Sequence, residues 1–200
     1  VAFREANRRQ HPEFHNAPVP SFGGLEARLL IVGLAPGLKG ANATGRPFTA
    51  DYAGDLLYAT LLKTGLARGL YGRRADDGLQ LLDCRITNAV RCVPPLNKPE
   101  PLEVATCRKT YLVDEIAAMP NLRIVLALGT LSHNSVLPAF GMKAARAKFA
   151  HGARHDLGRG RALFDSYHCS RYNTNTGVLT PAMFESVMGR IAEALASETF

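Results

Sequence analysis

The chain has 200 residues, 46% apolar and 20% charged, a balance that excludes a disordered or collagen-like polypeptide. Lys and Arg number 24 against 17 Asp and Glu, a net charge of +7 with His neutral, which favours a polyanion such as DNA, RNA, a nucleotide or a membrane face as partner. No window approaches the roughly eighteen uninterrupted apolar residues that a membrane span needs, and the length suits one domain over 1–200 with a sizeable core.

Val1 to Arg9 reads as the end of an amphipathic helix already begun, so further residues upstream of Val1 are expected. Pro12, Pro18, Pro20, Gly23 and Gly24 then break the chain into an extended arm. Leu29-Leu-Ile-Val-Gly-Leu34 is an unbroken apolar run, the mark of a strand buried on both faces. A Gly/Pro/Thr-rich loop over 35–50 follows, and Leu56, Leu57, Leu61 and Leu62 give 53–64 helical spacing, stopped by Gly65. Residues 65–80 read as a long connection. Cys84 to Val90 is a second strand, with Pro94-Pro95 in the loop after it. Residues 101–118 form a helix with Pro101 in its first turn. Arg123 to Leu128 is the third strand, and Gly129-Thr130 opens a helix to about Leu137. Residues 141–160 look irregular. Arg161 to Tyr167 is a fourth strand, followed by a polar loop from His168 to Thr180. The last helix, 181–197, has Thr180 as its cap and Pro181 at its first position.

Strands alternating with helices predict an α/β fold with a doubly wound parallel sheet and helices on both faces. Ligands of such sheets sit beyond the carboxyl ends of the strands. That rule selects four loops: 35–50, 91–100, the one after 128, and 168–179.

The first loop contains neither Gly-Lys-Ser/Thr nor GxGxxG, so it is not a nucleotide-triphosphate or dinucleotide loop. Gly33, Gly37, Gly40 and Gly45 permit close backbone approach to an anionic or flat ligand. Phe48 either packs under the sheet or offers a face on which a base stacks. Asp51 is either a helix N-cap or a general base. In the last loop, His168 either ends the strand or donates a hydrogen bond to charge developing on a leaving group. Arg171, Tyr172 and Asn173 are placed to meet phosphates or a duplex groove. Asn88, ending the second strand, either caps a turn or reads the polar edge of a pyrimidine. Asn97 and Lys98 follow it. Cys84, Cys92, Cys107 and Cys169 contain no CxxC, so on spacing alone inert thiols fit better than a metal site, in a reducing compartment such as the cytoplasm. His151 and His155 stand four apart but lack helical surroundings, which argues against a metal pair.

Four stretches together carry a resemblance. Gly33-Leu-Ala-Pro-Gly37, Gly45-Arg-Pro-Phe-Thr49 with Asp51, Asn88-Ala-Val-Arg-Cys-Val-Pro-Pro-Leu-Asn-Lys-Pro99 and Tyr167-His-Cys-Ser-Arg-Tyr-Asn-Thr-Asn-Thr-Gly177 are similar to the uracil-DNA glycosylase superfamily, most of all its family 5. The resemblance spans about 1–195. It implies a three-layer α/β/α sandwich around a four-stranded parallel sheet, and a monomer that removes uracil and other deaminated bases from DNA. It implies catalytic roles for Asp51 and His168, and base contacts from Gly33, Ala35, Pro36, Gly37, Phe48, Asn88 and Asn97. DNA contacts would come from Lys39, Asn42, Ser170, Arg171 and Asn173. Related enzymes carry a carboxylate or amide directly before Ala-Pro; Leu34 stands there, so Asp51 becomes the candidate carboxylate. The resemblance also implies a structural [4Fe–4S] cluster, with Cys92 and Cys107 as two ligands and two more expected upstream of Val1. A non-catalytic damaged-base binder would share Phe48 but not need His168 and Asp51 together. A nucleotide hydrolase lacks support in a phosphate-binding loop.

Overall fold

The structure, a computed structural model, describes residues 2–197. Helix α1 (Ala2–Gln10) leads into the extended arm, which reaches β1 (Leu29–Gly33). The short α2 (Ala41–Thr44) and then α3 (Tyr52–Lys63) follow. Two small strands, β2 (Ala67–Arg68) and β3 (Gln80–Leu81), pair antiparallel inside the 65–80 connection, which is therefore not without structure. Next come β4 (Cys84–Asn88), α4 (Pro101–Cys107), a π-helical turn over Arg108–Leu112, α5 (Val113–Ala117), β5 (Ile124–Leu128) and α6 (Thr130–Ala139). The chain closes with β6 (Arg154–Gly158), β7 (Arg161–Ser166), α7 (Arg171–Asn175) and α8 (Pro181–Ala196).

The main sheet runs β4-β1-β5-β7-β6. Its first four strands are parallel, as the alternation predicts. The fifth, β6, is antiparallel to β7 and corrects the expectation of a four-stranded sheet with an irregular 141–160 segment. Its sequence, Arg154-His-Asp-Leu-Gly158, buries only Leu157. An edge strand of this kind has no apolar run to reveal it.

Side chains alternate across the central strands. Leu29, Ile31, Leu126 and Phe164 face α3 and α8, packing on Leu57, Leu61, Phe184, Met188 and Ile191. Leu30, Val32, Val125 and Leu163 face the other way, toward Leu112, Ile116, Val136 and Leu137. Each such side chain contributes about 1.5–3 kcal/mol on burial, so the sheet is held as the middle layer of three. Helix α8 starts where expected: the Thr180 hydroxyl accepts from Met183 N at 3.2 Å, with Pro181 behind it. Helix α4 has a capping box, Glu100 N donating to Glu103 Oε2 at 2.9 Å.

Strand order reverses between β1 and β5: the chain steps from β1 to β4 on one side, then crosses back to β5 on the other. The loops after these strands diverge there and leave a crevice.

Candidate active site

A cavity of about 510 Å³ opens at that crevice. Leu34 and Ala35 after β1, Leu128 at the end of β5 and Gly129 after it line the cavity, while Phe48, Asp51, Asn88 and His168 line it from three other segments. The four loops picked out by the strand-end rule all contribute.

Phe48 is buried and holds a left-handed backbone, φ 56°, which a bulky residue adopts only when its surroundings enforce it. The enforcement is visible. Tyr58 donates its hydroxyl to Pro47 O at 2.6 Å, and Tyr71 donates to Phe48 O at 3.1 Å. Arg46 donates from Nε to Thr49 Oγ1 at 2.7 Å and makes a two-pronged ion pair with Asp77, both contacts 2.7 Å. Its guanidinium lies 5.0, 5.5 and 5.9 Å from the ring centres of Phe22, Tyr58 and Tyr71. Asp77 and Tyr71 sit in the 65–80 connection, whose function is thus to brace the loop that presents Phe48.

The close approach at Gly33 explains the first glycine. A Cβ there would lie 2.5 Å from Phe48 Cζ and overlap the Asn88 carboxamide oxygen. Gly33 therefore lets an aromatic face and an amide edge share one wall. Gly33→Ala is expected to destabilise the fold by about 1–3 kcal/mol through overpacking, seen as a lower urea midpoint at unchanged m-value.

Asp51 occupies the position before α3, but its side chain makes no capping bond to that helix. It turns instead toward the first loop, where Ala41 N donates to Oδ2 at 3.4 Å. A Cβ at Gly40 would overlap the carboxylate, and one at Gly37 would stand 2.6 Å from Oδ1. Burial pushes the Asp51 carboxyl above its usual range, against the backbone N–H groups of Ala41 and Gly37, which pull it down. The Asp51 side chain therefore does not cap α3.

His168 follows β7 and packs beside Phe48, ring centres 6.0 Å apart and planes 28° from parallel. Loss of solvent lowers its pKa from 6.5 to about 4, so the ring is neutral at neutral pH. Among the described residues no hydrogen bond to its ring is present, and its backbone is fixed instead: Asn173 Nδ2 donates to His168 O at 2.8 Å. Asn173 is therefore a brace for His168, its amide nitrogen turned inward. Ser170 lines the cavity and caps α7, accepting from Asn173 N at 3.3 Å, so the predicted loop contains one helical turn and a half. Arg171 stands at the rim with its guanidinium 5.1 Å from the Tyr52 ring centre.

Asn42 requires a correction. It is fully buried, donating to Asn16 Oδ1 at 3.0 Å, and ties the N-terminal arm to α2. It has no surface to offer a DNA strand. Lys39 is exposed, Asn97 is exposed at the cavity edge, and Pro36 is buried. Thr130 and Leu131 complete the lining but carried no sequence signal beyond following a strand.

Cys92 and Cys107 are both half-buried and close enough for the charge of Cys92 to bear on Cys107, whose pKa rises mainly through burial. Arg4 in α1 donates to Cys92 Sγ at 3.2 Å, and the π-turn begins at the residue after Cys107. A cuboidal iron–sulfur cluster takes four thiolates, so this pair fits half of such a ligand set. Cys84 and Cys169 are buried in the core, pushed up to about 12 by desolvation, and take no part. A separate hydrogen-bonded cluster lies behind the sheet end. His133 Nδ1 and His155 Nε2 meet the two oxygens of buried Asp165 at 2.8 and 2.9 Å, clamping α6, β6 and β7 together. His151 is apart from it, stacked on Tyr167.

A doubly wound sheet whose switch point gathers a ring face, an amide, a carboxylate and a neutral imidazole around one cavity defines an α/β protein with a ligand-sized crevice at its strand ends. Comparison with known proteins narrows this. Residues 20–192 match the family model for the uracil DNA glycosylase superfamily. The chain is 46% identical over 171 residues to a type-5 uracil-DNA glycosylase of Thermus thermophilus, covering 86% of this chain and 77% of the relative. It is 43% identical over 180 residues to the type-5 enzyme of Mycobacterium leprae, covering 90% and 78%. A type-4 uracil-DNA glycosylase of Pyrobaculum aerophilum is 34% identical over 135 residues, 67% of this chain and 60% of the relative. The chain belongs to the uracil-DNA glycosylase superfamily, in its type-5 family.

Proposed function

We propose that this chain is a monofunctional DNA glycosylase that excises uracil, and other deaminated bases such as hypoxanthine, by base flipping and hydrolysis of the N-glycosidic bond. The observation that carries the reading is the convergence of Phe48, Asn88, Asp51 and His168 on one cavity at the strand switch point. The net charge of +7 suits a phosphate backbone.

The flipped nucleotide costs a few kcal/mol of stacking and pairing, least at a mismatch. Its base lies against Phe48, and the Asn88 carboxamide pairs with its polar edge. The bond between C1′ and the base nitrogen breaks with its electron pair leaving on the base. A neutral His168 donates its N–H to the oxygen where that charge collects; such a donor typically contributes about 3–4 kcal/mol. Asp51 faces the sugar, offsets its positive charge and orients the water whose oxygen joins C1′. That water's proton leaves through Asp51 to solvent. A cavity of about 510 Å³ has room for a purine as well as a pyrimidine, which supports the broader base range. Release of free uracil, hypoxanthine or xanthine from duplex oligonucleotides opposite each normal base tests the reading. Tight binding without base release would favour a damaged-base binding module instead.

Asp51→Asn is expected to lower single-turnover release about a hundredfold. In the parent protein the rate should fall as pH drops through the raised Asp51 pKa, above the ordinary carboxylate range. The variant should lose that acid limb, measured from pH–rate profiles.

Cys92 and Cys107 are proposed as two ligands of a [4Fe–4S] cluster, with two more thiolates upstream of Val1. Arg4 beside Cys92 brings the start of α1 to this pair. The cluster would serve as a cross-link, since glycosidic hydrolysis transfers no electron. The protein is proposed to act on DNA as a monomer in the cytoplasm.

A further inference from the structure

Helix α6 and strands β6 and β7 meet outside the cavity at three side chains that base excision does not use: His133, His155 and Asp165. His133 and Asp165 are closed to solvent, with side-chain exposures of 1% and 0%. His133 Nδ1 faces Asp165 Oδ1 at 2.8 Å, and its Nε2 faces the Ala147 carbonyl oxygen at 2.9 Å. His155 Nε2 stands 2.9 Å from the other Asp165 oxygen.

Both nitrogens of the His133 ring therefore look at oxygens. A carbonyl only accepts, and so does an ionised carboxylate. A neutral imidazole carries a single N–H and satisfies one of these contacts, not both. Leaving the other unmade would be costly, because both groups are buried. The pocket thus calls for one added positive charge between Nδ1 and the carboxylate, either a proton or a metal ion.

The surroundings suit the ion. Imidazole nitrogen and carboxylate oxygen are the donors that hold zinc and its first-row neighbours, and here they lie within 4.8 Å of one another. The Ala147 carbonyl takes the Nε2–H of His133 and leaves the Nδ1 lone pair for the ion, the outer support that metal-bound histidines receive. Phe149 meets His133 edge-on at 5.7 Å and adds an apolar wall. His155 is the open side, with 16% of its side chain exposed, and gives an ion a way in. Bonds of about 2.1 Å at tetrahedral angles set neighbouring donors roughly 3.4 Å apart, so the rings must draw back from Asp165 by about half an ångström as the ion enters.

We propose that His133 Nδ1, His155 Nε2 and the Asp165 carboxylate bind a divalent ion of the zinc type, with water as the fourth ligand. The ion displaces the proton between His133 and Asp165 to solvent, while the His155 ring keeps its own proton, moved to Nδ1. The effect is structural. Asp165 lies three residues before His168 on the same run of chain, and α6 opens with the cavity-lining Thr130 and Leu131. The ion ties these two approaches to the cavity together. The site is at the opposite end of the strand order from Cys92 and Cys107, which follow β4, and it depends on neither a cluster nor base excision.

The test adds Zn²⁺ and Co²⁺ to the parent protein and to His155→Gln, which removes the donor at the partly open position. Zn²⁺ at about a hundredfold excess over its Kd is expected to raise Tm by about 5–10 °C. Calorimetry in buffers of different ionisation enthalpy should count close to one proton released per ion. Bound Co²⁺ should show visible ligand-field bands without thiolate charge transfer. His155→Gln should weaken binding about a hundredfold and keep the parent's metal-free circular dichroism. No rise in Tm with either ion, binding that His155→Gln leaves unchanged, or Co²⁺ bands of thiolate type alone overturns the site and leaves a shared proton as the cation of the cluster. These readouts do not involve uracil, so a protein that binds the ion and releases no base overturns the glycosylase reading and not the metal site.

Discussion

His168→Ala should lower single-turnover uracil release by about a thousandfold, the upper range for removing one preorganised donor. Binding to uracil-containing duplex should change far less, because the ring contributes to the leaving group and not to the phosphates. The pH dependence is the sharper signature. Desolvation holds the His168 pKa at about 4, so the neutral ring persists across neutral pH and no rate change should track the ordinary imidazole value of 6.5. Stability carries the same signature. A depressed folded pKa means that the unfolded chain binds the extra proton first, so the contribution is present above 6.5 and is lost as pH falls toward about 4. The Ala variant should lack that part of the stability–pH curve, which urea titrations over this range would read.

The second large effect lies away from the cavity. Asp77→Ala should destabilise the protein by about 3–5 kcal/mol, the usual cost of stranding a buried charge. Both partners are nearly closed to solvent, with side-chain exposure of 6% for Arg46 and 3% for Asp77. The Arg46 hydrogen bonds hold the Asp77 carboxyl far below its usual range, and burial opposes them. Its contribution is therefore present above the unfolded carboxylate value and survives into strong acid, fading only as pH falls through the depressed one. Removing Asp77 also frees the guanidinium that fixes Thr49, so Phe48 should lose its left-handed backbone. Urea unfolding would measure the loss, and excision by the still-folded fraction should fall with it.

Much of this was legible in the chain because the informative signals are local. The runs Leu29–Val32 and Ile124–Leu128 are apolar throughout, as strands buried on two faces must be. Odd loops directly after such strands are where doubly wound sheets hold ligands, and that rule puts Phe48, Asp51, Asn88 and His168 at one edge of the sheet. What escaped was non-local or had no pattern. Arg46 and Asp77 are 31 residues apart, and nothing near either one announces the other. Strand β6 carries a single buried apolar residue, Leu157, and its place comes from pairing with β7 and from His155 reaching Asp165. The resemblance implies a DNA contact for Asn42, yet the side chain is buried against Asn16 of the N-terminal arm, a partner 26 residues away.

The bordering strands have one more consequence. Phe22 in the arm bridges Ile86 of β4 through two backbone bonds of 2.9 and 2.7 Å, and β6 lies along β7 at the opposite border. Both margins of the parallel core are thus occupied by this chain's own backbone, and the outermost strand presents Arg154 and Asp156 to solvent. A foreign strand finds no long apolar template on which to grow. Concentrated solutions of the protein should accordingly resist cross-β accretion, and crowding on a DNA lattice would bring neighbouring copies together without fusing their sheets.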